Sequence, residues 1–492
     1  MRTDLFKSIS IILILLFISF SSAHAFYPKG QAVTFGEFNY INDIAVSNTH
    51  AYFATTRGIV RYNKAGNFWE NPLTGTEGLD HNDIQKIWVD DFDTRLYAQT
   101  SNGYFEYDIM LENWYSISSM PEVNNQSEHI KFPTLMYAPP LFNYDNYARH
   151  LIDPNGRHFL IDDVVEDLQG NLWISSWGYG AFSSNTSNYY LNPLPYGLIQ
   201  DRVNAIYDDD GTLLISGAVL IDQRTGITLY NTKKDEFSFI ESGIDNFFPS
   251  IDINCLAADE YSIYAGTTNG LYIIDKANKT INRQLTSSNG LVYDNIISLL
   301  VNRDTIFIGT EYGLSILYNS DSGMVAIKTS FPEIVIFDME MVDNSLWLGT
   351  SLGAYRLKLK SGKIQKMRDD MAILFSDVVD IERYNQYLWF LSKKGLVKLN
   401  IESGEHESFP QVFYSSVPNA LAVNDTIAAI ATENGLAIYF YANKKPFTRE
   451  FTIDDGLPSN YTYSVMLDGD YLWLGSEMGL TRFYWNNPDR VD

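Results

Sequence analysis

The chain has 492 residues and a formal net charge of −25, from 35 Lys and Arg against 60 Asp and Glu. That balance excludes nucleic acid and anionic lipid surfaces as natural partners and favours neutral or cationic ligands. A single cysteine, Cys255, excludes an internal disulfide, so stability has to come from a large apolar core.

Residues 1–25 read as a secretory signal peptide. Arg2 and Lys7 supply the positive start, Ile9 to Phe20 the apolar stretch, and Ala23-His24-Ala25 the small-residue cleavage site. No cysteine follows to carry a lipid, and no later run approaches the roughly 18 apolar residues of a membrane helix. The mature chain, residues 26–492, is expected to be soluble and periplasmic or secreted.

An unpaired strand-like segment, Gln31 to Phe38 (QAVTFGEF), comes first. After it a single pattern repeats: an apolar run, an Asp, Asn or Gly turn, a second apolar run, and a turn that closes on a glycine. Those glycines are Gly58, Gly103, Gly180, Gly270, Gly313, Gly353, Gly395, Gly435 and Gly479. Most steps are 40–45 residues. The long step before Gly270 hides a worn repeat, Val203 to Asp222, and the step before Gly180 contains an insertion at about 119–158. The runs are rich in Ile, Val, Leu, Tyr and Trp and bounded by turn residues, which marks them as short strands. Four strands per repeat of this length is the spacing of a β-propeller blade. The last repeat, Gly456 to Tyr484, ends before its fourth strand, and the segment at 31–38 can supply it. The expected fold is all-β: about ten four-stranded blades in a single ring closed by the N-terminal strand, with two smaller rings as the alternative.

The strings GLPSN, DYLWLGS and GLTRF of the last repeat, with LQGNLWISSWGYGAF at Leu168 to Phe182 and TIFIGTEYGLSIL at Thr305 to Leu317, resemble the two-component regulator propeller repeat. The resemblance covers residues 31–485. It implies a propeller of the kind found in periplasmic sensors, which take extracellular ligands that are often carbohydrates. The kinase and membrane-spanning parts of such sensors have no counterpart in this sequence, so what is implied is a binding scaffold.

The sequence offers no catalytic or metal constellation at a recognisable spacing, and no cofactor is expected. The acidic turns Asp90-Asp91-Phe92-Asp93 and Asp208-Asp209-Asp210-Gly211 sit where each repeat turns, as capping residues do. His150 and His158, with Asp153 between them, read as insertion polarity rather than as ligands. Aromatic rings are the more promising feature. Trp177 and Tyr179 alternate with glycines on one turn, the insertion into the same repeat carries Tyr137, Tyr144 and Tyr147, and Tyr312 occupies an equivalent turn in another repeat. Flat rings beside Asn and Asp suit sugar recognition, because apolar sugar faces stack while hydroxyls pair. The expectation is therefore an exported, non-enzymatic ligand-binding propeller with a neutral glycan as ligand. A protein-interaction scaffold in an envelope or secretion assembly is the alternative, and a propeller lyase or hydrolase ranks third.

Overall fold

The computed structural model describes residues 32–487, apart from 76–78, 80, 219–223, 242–250, 321–322, 329–330, 368–371, 411 and 414–415. The signal peptide expected at 1–25, Gln31 and the last residues of the worn repeat that ends at Asp222 lie outside the described residues. Among these residues ten antiparallel sheets form, nine of four strands and one of seven, and no helix is long and apolar enough to cross a membrane. Numbered in chain order, the first covers 41–69, the second 86–117, the third 128–194, the fourth 205–241 and the fifth 253–285. The sixth covers 296–328, the seventh 336–366, the eighth 378–410, the ninth 418–451 and the tenth 462–484. The tenth takes its outer strand from Ala32–Phe35, which pairs antiparallel with Gly479–Tyr484 from Ala32 opposite Phe483 to Phe35 opposite Leu480. Closure by the N-terminal strand is thus as the sequence suggests.

The arrangement differs from one ring of ten. Within a propeller, the end of each second strand hands a carbonyl to the start of the next sheet's inner strand. Ser476 of the tenth sheet accepts from Val203 N, at the head of the fourth sheet, at 2.9 Å. Seven sheets, the fourth to the tenth, therefore close on themselves. The third sheet lies beside the first instead, joined the other way round, with Gly178 N donating to Asn39 O at 2.9 Å and an isolated bridge between Tyr40 and Trp177. The first hands on to the second, where Ile84 N donates to Thr55 O at 3.0 Å. The first three sheets so form a separate arc in the order third, first, second. Repeat spacing counts the sheets correctly but carries no information about the angle between neighbours, and that angle decides how many fit in a circle.

Close approach between sheets has an identifiable cause. In the ring's fifth to tenth sheets a β-bulge near the start of the inner strand turns the following residue towards the next sheet. Asp338 and Asp380 use that position to accept from Ile381 N at 2.9 Å and Leu421 N at 2.6 Å; Asp43, in the first sheet, accepts from Ile87 N at 2.9 Å. Cys255 occupies the same place, packed, with burial pushing its thiol up. Opposite it, the second strand keeps a glycine. A Cβ on Gly475 would lie 2.2 Å from Ser464 Oγ and 2.7 Å from Val203 O, so only glycine admits the fourth sheet there. Trp347 and Trp473, two residues before such glycines, and Trp389, whose sheet has Leu391 at that position, are buried between sheets, as strand residues apolar on both faces are.

Two crossings join arc and ring. Residues 36–39 leave the tenth sheet for the first, and 194–201 return from the third to the fourth. They bind each other: Leu198 N donates to Gly36 O at 2.9 Å and Glu37 N to Asp201 Oδ1 at 2.9 Å. Tyr196 stacks on Trp69 at 4.8 Å and on Phe38 at 5.8 Å, which joins the arc's core to the ring's. Buried Glu37 has its carboxyl pushed up to about 8, by burial first and by Asp201 second.

Candidate functional site

The insertion enlarges the third sheet. Its first leg adds Glu128–His129 alongside one end of the inner strand His158–Glu166. A hairpin, Asn143–Asp145 with His150–Ile152, pairs with the other end. Residues directly opposite in an antiparallel sheet share a face. One row runs Trp177, Leu160, His150, Asp145, and the next runs His158, Ile152, Asn143. Alternate positions, Phe159, Leu151 and Tyr144, point the other way into a packed cluster with Met136, Ile174 and Phe182.

This outer face is a platform with one aromatic at its edge. Trp177 is 44% exposed, and the Tyr40 ring meets it edge-on at 5.2 Å. The His150 and His158 rings lie 5.7 Å apart. Asp145 accepts from Tyr147 N at 2.9 Å and Ala148 N at 3.1 Å, and these bonds hold its carboxyl below the usual range. A flat indole, two imidazoles, an amide and a carboxylate can stack on and hydrogen-bond to a neutral polyol; none of them is a Ser, Cys or Lys nucleophile.

The six rings expected at a site do not assemble as a group. Trp177 stands on the platform, but Tyr179, two residues on, turns inward. It packs against Phe142 at 5.5 Å, Phe159 at 5.3 Å and Phe182 at 5.3 Å, with the Arg224 guanidinium 4.3 Å over its face. Tyr144 packs on the same inner side. Tyr137 and Tyr147 are exposed towards the end of the insertion. Tyr312 is far along the chain in the sixth sheet, half-exposed and 4.7 Å from Tyr293. The platform partners Tyr40, Asn143, Asp145 and Leu160 escaped the sequence reading, which sets His150 and His158 aside as insertion polarity. Alternation over 143–145 and 150–160 was the available signal, obscured because the insertion read as loop.

A cleft of about 280 Å³ lies behind Tyr179, lined also by Asn39, Phe237, Phe239, Arg224, Glu241 and Lys279. Its charges are already engaged. Arg224 is paired with Glu241, donates from Nη1 to Asn39 Oδ1 and Tyr179 O at 3.4 Å each, and lies between the Tyr179 and Phe239 rings. Arg157 holds Glu241 from the other side at 2.9 Å. Lys279 Nζ donates to Ser238 Oγ at 3.1 Å. The cleft thus buttresses the platform from behind, where arc and ring meet.

No family model matches this sequence, and no curated protein matches it. Solved structures do resemble it. The extracellular domain of the hybrid two-component system BT4673 from B. thetaiotaomicron is 13% identical, with 92% of this chain and 71% of that one covered and a TM-score of 0.46. PorZ, a surface component of the type-IX secretion system of Porphyromonas gingivalis, is 12% identical, with 94% and 73% covered and a TM-score of 0.48. Virginiamycin B lyase from Staphylococcus aureus is 16% identical, with 58% and 95% covered and a TM-score of 0.46. At such identities and scores no function is carried across.

Proposed function

We propose that this chain is an exported, non-enzymatic binding protein whose ligand, a neutral glycan, lies on the outer face of the third sheet. The observation that carries this reading is Trp177, a half-exposed indole at the edge of paired strands, in line with Leu160, His150 and Asp145. Large rings on a rigid frame lose little entropy on binding, and the polar neighbours are placed to pair with hydroxyls. The net charge of −25 favours a neutral over an anionic ligand. Export rests on the leader read at residues 1–25.

The test is a glycan array probed with wild type and Trp177→Ala. The reading expects hits among neutral glycans that the variant loses while its melting temperature stays within a few degrees. Hits retained by the variant, or hits confined to charged glycans, count against it. A second reading, a protein-interaction scaffold in an envelope or secretion assembly, draws on the exposed Leu135, Tyr137, Leu141 and Tyr147 of the insertion. A blank array together with a specific partner recovered from the native envelope, lost on substituting Leu141 and Tyr147, favours that one.

A further inference from the structure

The geometry points to a divalent transition-metal site at the heart of the three-sheet arc, made by Asp43, His129 and Asp163. The three residues come from three different elements: the inner strand Ile41–Val46 of the first sheet, the insertion strand Glu128–His129, and the inner strand His158–Glu166 of the third sheet. One donor atom from each lies within 4.8 Å of the others. His129 Nδ1 is 3.0 Å from Asp163 Oδ1 and 2.9 Å from Oδ2. Bonds of about 2.0–2.2 Å to a shared ion hold donors roughly 3–3.6 Å apart, so His129 and Asp163, here hydrogen-bonded to each other, need part only slightly to take one.

Both carboxylates are aimed by β-bulges. The first sheet shifts register between Ile41 and Asp43, and the third between Ile161 and Val164, where Asp163 sits. Asp163 is fixed by its own N–H on Ser175 Oγ at 3.0 Å, and Asp43 by Ile87 N at 2.9 Å. The insertion leg is held over them by Asn125 Nδ2, which donates to Val46 O at 2.9 Å and Val89 O at 2.6 Å, and by Ser127 Oγ, which donates to Val46 O at 2.8 Å. Two carboxylates converging on one imidazole in a recess repel each other, and a dication offsets that repulsion more completely than the imidazolium alone.

One imidazole with two carboxylates suits zinc or manganese; calcium prefers six to eight oxygens. Three protein donors leave coordination positions free, and the imidazole is open to solvent, with 58% of its side chain exposed. The ion clips the insertion to the inner edges of the first and third sheets, which a two-residue strand does only weakly.

The test is calorimetric titration of the EDTA-treated mature protein with Zn²⁺, with Co²⁺ absorption as a second readout. Wild type is expected to bind one ion per chain and to melt higher with it. His129→Ala, at a largely exposed position, should fold normally in EDTA yet lose affinity by more than the roughly 10–100-fold that outer orienting residues command. The double variant His150→Ala with His158→Ala should bind as wild type. Absence of saturable binding overturns the site, as does binding that survives His129→Ala or disappears with the His150 and His158 pair.

Discussion

The same residue type reports two different environments in this molecule. Trp473 is 1% exposed, donates from Nε1 to Asp468 Oδ2 at 3.1 Å, and packs against Phe35 and Tyr230. Trp177, at the end of the equivalent strand in the third sheet, faces outward. Trp473→Ala should therefore cost about 3–5 kcal/mol in denaturant titration, and Trp177→Ala about nothing. His50 provides a pH signature. Burial alone would lower its pKa, but hydrogen bonds to Asp93 and Glu70 overcome this and raise it to about 9. Because the folded value exceeds the unfolded one, the stabilisation is complete below about pH 6.5 and is lost as pH rises through about 9. Wild-type stability should fall across that window, by on the order of 1–2 kcal/mol, relative to His50→Gln. Parallel curves for the two proteins would mean that the His50 network is not formed.

At the level of elements, the closing strand was legible because its absence from the last repeat and its presence at the N-terminus are both visible in sequence. Phe35 gives that strand its anchor, lying 5.4 Å from Tyr230, 5.6 Å from Phe237 and 6.4 Å from Trp473. Removing residues 26–38 exposes the edge of Gly479–Tyr484 and deletes this anchor, so a loss of several kcal/mol is expected in thermal or chemical melts. An unchanged melt would contradict the pairing. The insertion was less legible. Its polar, proline-containing composition reads as loop, yet short stretches of it become strands because the long inner strand His158–Glu166 offers them an edge. Pairing with a distant edge leaves little local trace. For the same reason Asp43, His129 and Asp163 could not be grouped from sequence, since only topology brings them together.

For the whole molecule, ten sheets were countable from the glycine steps, but their division into a ring of seven and an arc of three was legible only as far as the alternative of two smaller rings. The handover from Ser476 to Val203 depends on contacts between residues 273 positions apart, and no repeat pattern encodes that distance. The division has a functional consequence. The insertion and its platform occupy the third sheet of the arc, tied to the ring through Tyr179, Arg224 and Glu241. The central claim is that ligand binding resides on this platform, separate from the ring. It is tested most directly by calorimetric titration of an array-selected neutral glycan into wild type, Trp177→Ala and Tyr312→Ala. The account predicts at least about a tenfold loss of affinity, or 1.4 kcal/mol, for Trp177→Ala at unchanged melting temperature, and wild-type binding for Tyr312→Ala. Wild-type binding by Trp177→Ala, with affinity lost instead in Tyr312→Ala, would contradict it.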